Sequence, residues 1–229
     1  MSATALLYAL LSGILPTLIW LFFWLREDRQ HPEPRSLLVA CFFGGILAVV
    51  AALFIEKYIA DLYTDPTIRY TLWAATEEIL KFIAIAVIGL RSQANDEPID
   101  AMIYCIVVAL GFSALENAFF IMDPLSGGEV ARSIITGNMR FIGATLLHIV
   151  SSATIGFCIG YFFYHGRLAK IIAAIVGIIA AIVIHTSFNL SIMEASASDT
   201  LRTFSWIWGG VVIMIILFEE IKVVRPKLW

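Results

Sequence analysis

Residues 74–82, AATEEILKF, set two carboxylates and an ammonium, Glu77, Glu78 and Lys81, inside an otherwise apolar run. On a helix Lys81 is three and four positions from the glutamates and can reach either. One such pair is explained by helix packing, but the second glutamate is left over. Three other apolar runs carry similar groups. GFSALENAFF holds Glu116 and Asn117, with Phe112 and Phe120 one turn to either side of Glu116. RFIGATLLHIVSSATIGF holds His148, with Thr145, Ser151 and Ser152 sharing its face, and IVIHTSFNLSI holds His185 with Asn189 one turn on. At membrane depth each ionisable side chain costs about 2.5 to 3.5 kcal/mol on insertion scales. Gathering them round one wet pocket is cheaper than burying them separately, so the expectation is a single intramembrane polar centre.

Carboxylates and imidazoles in one pocket suit hydrolysis. A glutamate can take a proton from water while a histidine or lysine stabilises the developing oxyanion. A divalent metal such as zinc could do both jobs, since two His and a Glu with an open position form a catalytic zinc set. The candidate ligands are Glu78, Glu116, His148 and His185. No H-E-x-x-H is present, so spacing alone does not establish zinc. Ser151, Ser152 and Ser187 have no convincing His and acid partners for a serine nucleophile.

The elements that must position these groups follow from composition. The chain has 229 residues, 60% hydrophobic and 14% charged, against about 25% charged in an ordinary soluble domain, and its mean hydropathy is +0.90. This is the composition of an integral membrane protein, all-α, with its function inside the bilayer. Seven candidate spans are separated by turn and breaker chemistry: 3–25, 36–56, 68–90, 99–122, 139–164, 168–190 and 203–221. Together they form one domain, 1–229, with the chemistry-bearing core in about 68–190. The first span has no basic residues before it and is too long for a signal sequence, so it stays as a helix. Arg26, Arg29, Arg35, Arg91, Arg167, Lys170, Lys222, Arg225 and Lys227 fall after the odd-numbered spans, against Lys57, Arg69, Arg132 and Arg202 on the other side, with Arg140 near the start of the fifth span as a candidate fifth. That bias predicts an N-terminus outside and a C-terminus in the cytoplasm.

Cys41, Cys105 and Cys158 sit in apolar segments without C-x-x-C spacing and read as packing residues. A net charge of -3 with no basic block leaves no footprint for nucleic acid. The residues alone leave rivals open. Intramembrane Glu, His and Lys also make proton relays in transporters, although no inverted repeat is visible. Two histidines could ligate haem, which leaves the glutamates unexplained. Interhelical polar glue normally uses Ser, Thr and Asn in place of ionisable groups.

The stretches EDRQHPEP, EEILK, DEPIDAMIYCIVVALGFSALEN, RFIGATLLH and HTSFN, spread over about residues 26–190, resemble the PrsW family of intramembrane proteases, a relative of the CAAX prenyl protease group. The resemblance implies a membrane-embedded peptidase cutting a membrane-anchored protein, in the best-known case an anti-sigma factor during stress signalling. It implies catalytic roles for Glu77, Glu78, Glu116, His148 and His185. On this reading Glu78, beside Glu77, activates water. His148 and His185 bind metal or stabilise the oxyanion, Lys81 tunes the carboxylate pair, Asn189 and Asn117 support, and Phe112 walls the pocket. Ala101 and Cys105 stand where glycines are expected in such proteins, a difference that bears on helix packing.

Overall fold

The computed structural model describes residues 3–26, 32–193 and 197–225. Arg29 and Lys227, used above for orientation, and residues 27–31 of EDRQHPEP lie outside the described residues. The described chain is all helical: α1 (Ala3–Leu25), α2 (Arg35–Leu62), α3 (Pro66–Ile88), α4 (Asp100–Ser126), α5 (Val130–Met139), α6 (Thr145–Tyr161), α7 (Arg167–Met193) and α8 (Ala197–Lys222). A π-helical turn, Arg140–Ala144, joins α5 and α6 without a break, so seven continuous helices result. Six are long and apolar enough to cross a membrane. The seventh, α3, has 23 residues but carries Glu77, Glu78 and Lys81, all buried. The protein is a multi-pass membrane helical bundle.

Local chemistry explains the ends. At α3 the Asp65 carboxylate accepts the Ile68 N–H at 3.0 Å, and Pro66 occupies the first helical position, where its missing N–H costs nothing. Two boundaries differ from expectation. The fourth connection was expected across DPLSGGEVARS, yet α4 runs on to Ser126 and α5 begins at Val130. Pro124 is tolerated in the last turn, and the reversal falls on Gly128, whose φ of 79° suits a residue without Cβ. Likewise α2 continues to Leu62, past the expected end at residue 56, because Tyr58, Ile59 and Leu62 extend its apolar face.

The centre of the bundle is α4. Every residue from Asp100 to Ala114 is buried, enclosed by α1, α2, α3 and α6. Without a hydrophobic drive between helices in lipid, close backbone approach must supply the packing, and that needs small residues. Gly111 of α4 lies so close to the Phe42 carbonyl of α2 that a Cβ would overlap it, and Gly45 stands in the same relation to the Val108 carbonyl. On the other side Ala101 is opposed by Gly156 of α6, where an added Cβ would fall 2.7 Å from the Ala101 carbonyl oxygen. The small residue at that crossing is therefore supplied by α6, which leaves α4 free to carry alanine. The cysteines fill space: Cys41 and Cys105 are buried, and all three thiols are free. At the far end of α4 the Tyr104 hydroxyl donates to the buried Glu33 carboxylate, which ties the segment before α2 to the core.

Candidate active site

The five acidic and imidazole side chains singled out in the sequence meet between α3, α4, α6 and α7. Glu78 is fully buried. Its Oε1 accepts from Lys81 Nζ at 2.7 Å, from His185 Nδ1 at 2.7 Å and from Ser151 Oγ at 2.9 Å. In the neutral ring, donation through Nδ1 leaves a lone pair on Nε2, and that atom lies 3.7 Å from Glu77 Oε2. Lys81 can only donate, so His148 Nδ1, 3.1 Å from Lys81 Nζ, also carries a lone pair. The His148 proton is then on Nε2, which donates to Glu116 Oε2 at 2.9 Å. The two imidazoles meet edge to face with centroids 5.1 Å apart.

The result is a pair of matched arms. His185 is backed by Glu78 and Lys81, and His148 is backed by Glu116 and Arg140, whose guanidinium pairs with Glu116. Arg140 Nε also donates to Asn117 Oδ1 at 2.6 Å. Asn117 in turn donates to Thr145 Oγ1 at 2.9 Å, and the Phe120 ring lies under the guanidinium at 3.9 Å. On an unbroken α-helix Arg140 and His148, eight positions apart, would point about 80° from one another. The wider π turn between them reduces the rotation per residue and lets both reach Glu116, a recurrent use of such turns.

Glu77, His148 and His185 each offer one ligand atom, all within 4.8 Å of one another. Glu77 Oε2 is buried with no hydrogen-bond partner, so a cation there would satisfy an oxygen that the protein leaves bare. Backing each histidine with a carboxylate is the usual outer shell of a metal site. Four carboxylates, Glu56, Glu77, Glu78 and Glu116, surround the centre against two cations, Lys81 and Arg140, a surplus that suits a divalent ion. The residues fit a metal, with Lys81 Nζ yielding His148 Nδ1 to the ion. The converging set differs from the ligands expected from sequence in having Glu77 where Glu78 was expected. Glu116 is held by Arg140 and His148 and stands behind the histidine.

These groups open on a cavity of about 300 Å³. Glu77, Glu116, His148, His185, Asn189 and Phe112 line it, whereas Glu78, Lys81 and Asn117 do not. Neither Ser151, spent on Glu78, nor Ser152 nor Ser187 lines the cavity. Phe112 is a wall, in contact with the His148 ring at 5.3 Å and the Lys81 ammonium at 5.2 Å. Two contributors were missed from sequence. Arg140 had been read only as a loop charge near a span start. Glu56 had been placed at a span end, and only the continued apolar pattern after it signalled a position inside α2. The cavity lies in the half of the bundle where α2 meets α3, α4 meets α5 and α7 meets α8.

An all-helical membrane bundle with a buried Glu, His, His set and a cavity beside it has the parts that a membrane-embedded, metal-dependent hydrolase requires. Residues 33–220 match the family described as PrsW family intramembrane metalloprotease, and the chain belongs to it. Relatives named Protease PrsW include one from Geobacillus kaustophilus, 28% identical over 71% of this chain and 69% of the relative. Another, from Bacillus subtilis, is 21% identical over 93% of this chain and 92% of its own length. A third, from Clostridioides difficile, is 23% identical over 70% and 68%. No solved structure matches the chain. The protein is thus an intramembrane protease, and its substrates are membrane proteins.

Proposed function

We propose that the protein hydrolyses a peptide bond in a membrane-anchored protein, of the anti-sigma-factor type, at the cavity bounded by Glu77, His148 and His185. The observation that carries this reading is the convergence of one imidazole nitrogen each from His148 and His185 and the unpartnered Glu77 Oε2, within 4.8 Å of one another beside the cavity. Glu77, His148 and His185 would hold a divalent ion such as zinc. When bound, it supplies Lewis-acid polarisation of the scissile carbonyl and acidification of a water. Glu78 and Glu116 orient the two histidines and fix their tautomers. Lys81 and Arg140 offset the charge of those carboxylates, which leaves Glu77 facing the cavity without an ion-paired Lys or Arg. Asn189, on the cavity wall one turn after His185, donates its amide to the substrate carbonyl.

With the N-terminus outside and the C-terminus in the cytoplasm, the cavity half of the bundle is the outer half. The scissile bond then lies near the outer surface of the membrane, where an extended peptide can leave its helix and meet water. The test compares membrane-protein fragments in cells expressing the wild type, Glu77→Gln or His185→Ala at equal levels. Fragment pairs present only with the wild type identify the substrate. Their absence, together with ion flux in vesicles, would replace proteolysis by transport.

A further inference from the structure

Hydrolysis of an amide needs a group that takes the proton of the attacking water, within reach of the cavity and not held by a cation. Of the four carboxylates around the site, Glu78 has no surface in the cavity, and three donors converge on its Oε1. Glu116 lines the cavity, but Arg140 and His148 both occupy its Oε2. Glu77 belongs to the converging set. Glu56 is the fourth. It comes from α2, a different helix from all the others, and is partly exposed into the cavity. Among the described residues no Lys or Arg forms an ion pair with it, and its carboxyl group shares a hydrogen bond with that of Glu77.

The surroundings hold it there. The indole of Trp73 on α3 donates to the Glu56 carbonyl at 3.0 Å, which pins α2 to α3 at this level. The groups facing the Glu56 carboxylate are Glu77 of α3 and Glu116 of α4, with the Tyr70 and Trp73 rings beside them. The ordinary alternative is a solvated helix-end carboxylate. That role belongs to residues such as Lys57 next door, which is exposed and does not line the cavity.

We propose that Glu56 is the general base of the reaction, an assignment that rests on the hydrolytic reading of the site. The Glu56 carboxylate takes a proton from water as the water oxygen bonds to the scissile carbonyl carbon. The C–N bond then breaks, and the proton passes from Glu56 to the leaving amine nitrogen, which restores the carboxylate. Water is the only co-reactant, and the products are a carboxylic acid and an amine.

The experiment uses detergent-purified full-length wild type, Glu56→Gln, Glu56→Asp and His185→Ala. It measures cleavage of dye-labelled casein, bound metal per chain by mass spectrometry, and thermal unfolding on the same preparations. Glu56→Gln is expected to lower kcat by about 100-fold or more, with KM within about threefold of wild type. Its metal content and unfolding temperature should stay at wild-type values, and Glu56→Asp should recover part of kcat. His185→Ala should lose both cleavage and metal. Wild-type turnover by Glu56→Gln overturns the assignment. So does loss of its metal or fold along with activity, which would make Glu56 a ligand or a structural residue. Cleavage by the wild type no greater than by His185→Ala overturns the hydrolytic reading itself, and the role of Glu56 with it.

Discussion

His185 Nδ1 donates to Glu78 Oε1 at 2.7 Å, while its Nε2 lies 3.7 Å from Glu77 Oε2. Neighbouring glutamates thus meet opposite edges of one imidazole, and they are not equivalent. Glu77 lines the cavity; Glu78 lies behind the ring.

From this, Glu77→Gln is expected to abolish metal binding, because an amide oxygen is a much poorer ligand. Glu78→Gln should weaken metal affinity by about 10- to 100-fold while leaving a site, as is usual for an outer-shell partner. Competition of each purified variant against a graded chelator separates the two. Equal losses would contradict the division of labour.

Metal removal gives a second expectation. Dialysis of the wild type against a strong chelator should stop cleavage, and stoichiometric zinc should restore it. Ser151→Ala, which deletes one hydrogen bond to a charged acceptor, should cost about 1.5 to 3 kcal/mol of stability yet retain turnover. A serine-directed inhibitor should have no effect on the wild type, which separates this site from a serine nucleophile.

Arg140 holds both Glu116 and Asn117. Arg140→Gln leaves the Glu116 carboxylate largely buried without its cation, a loss of about 3 kcal/mol or more. Adding Glu116→Gln should recover much of that stability, because the stranded charge is gone, but not cleavage, because His148 loses its anionic partner. Thermal unfolding of the two single variants and the double variant measures the coupling.

At the crossing of α2 and α4, Gly111→Ala drives a Cβ into the Phe42 carbonyl. Overpacking of this kind costs about 1 to 3 kcal/mol. The variant is expected to unfold at lower temperature and to accumulate less in membranes. Gly166→Ala, with open space around its Cβ position, serves as the neutral control.

The sequence by itself determined a great deal, because the membrane makes its polar residues conspicuous. Apolar runs of spanning length can be read directly, and the cost of charge in hydrocarbon marks Glu77, Glu78, Glu116, His148 and His185 as members of one centre. Only the tertiary structure decided what each does. Adjacent residues on a helix point about 100° apart, so Glu77 and Glu78 had to diverge, but which one faces the cavity depends on where α6 and α7 pack against α3. Glu56 and Arg140 were missed for a related reason: near a span end a charge has an ordinary explanation in the membrane interface. The longer α2 and the π turn before α6 carry them into the site, and both features depend on contacts between helices distant in sequence.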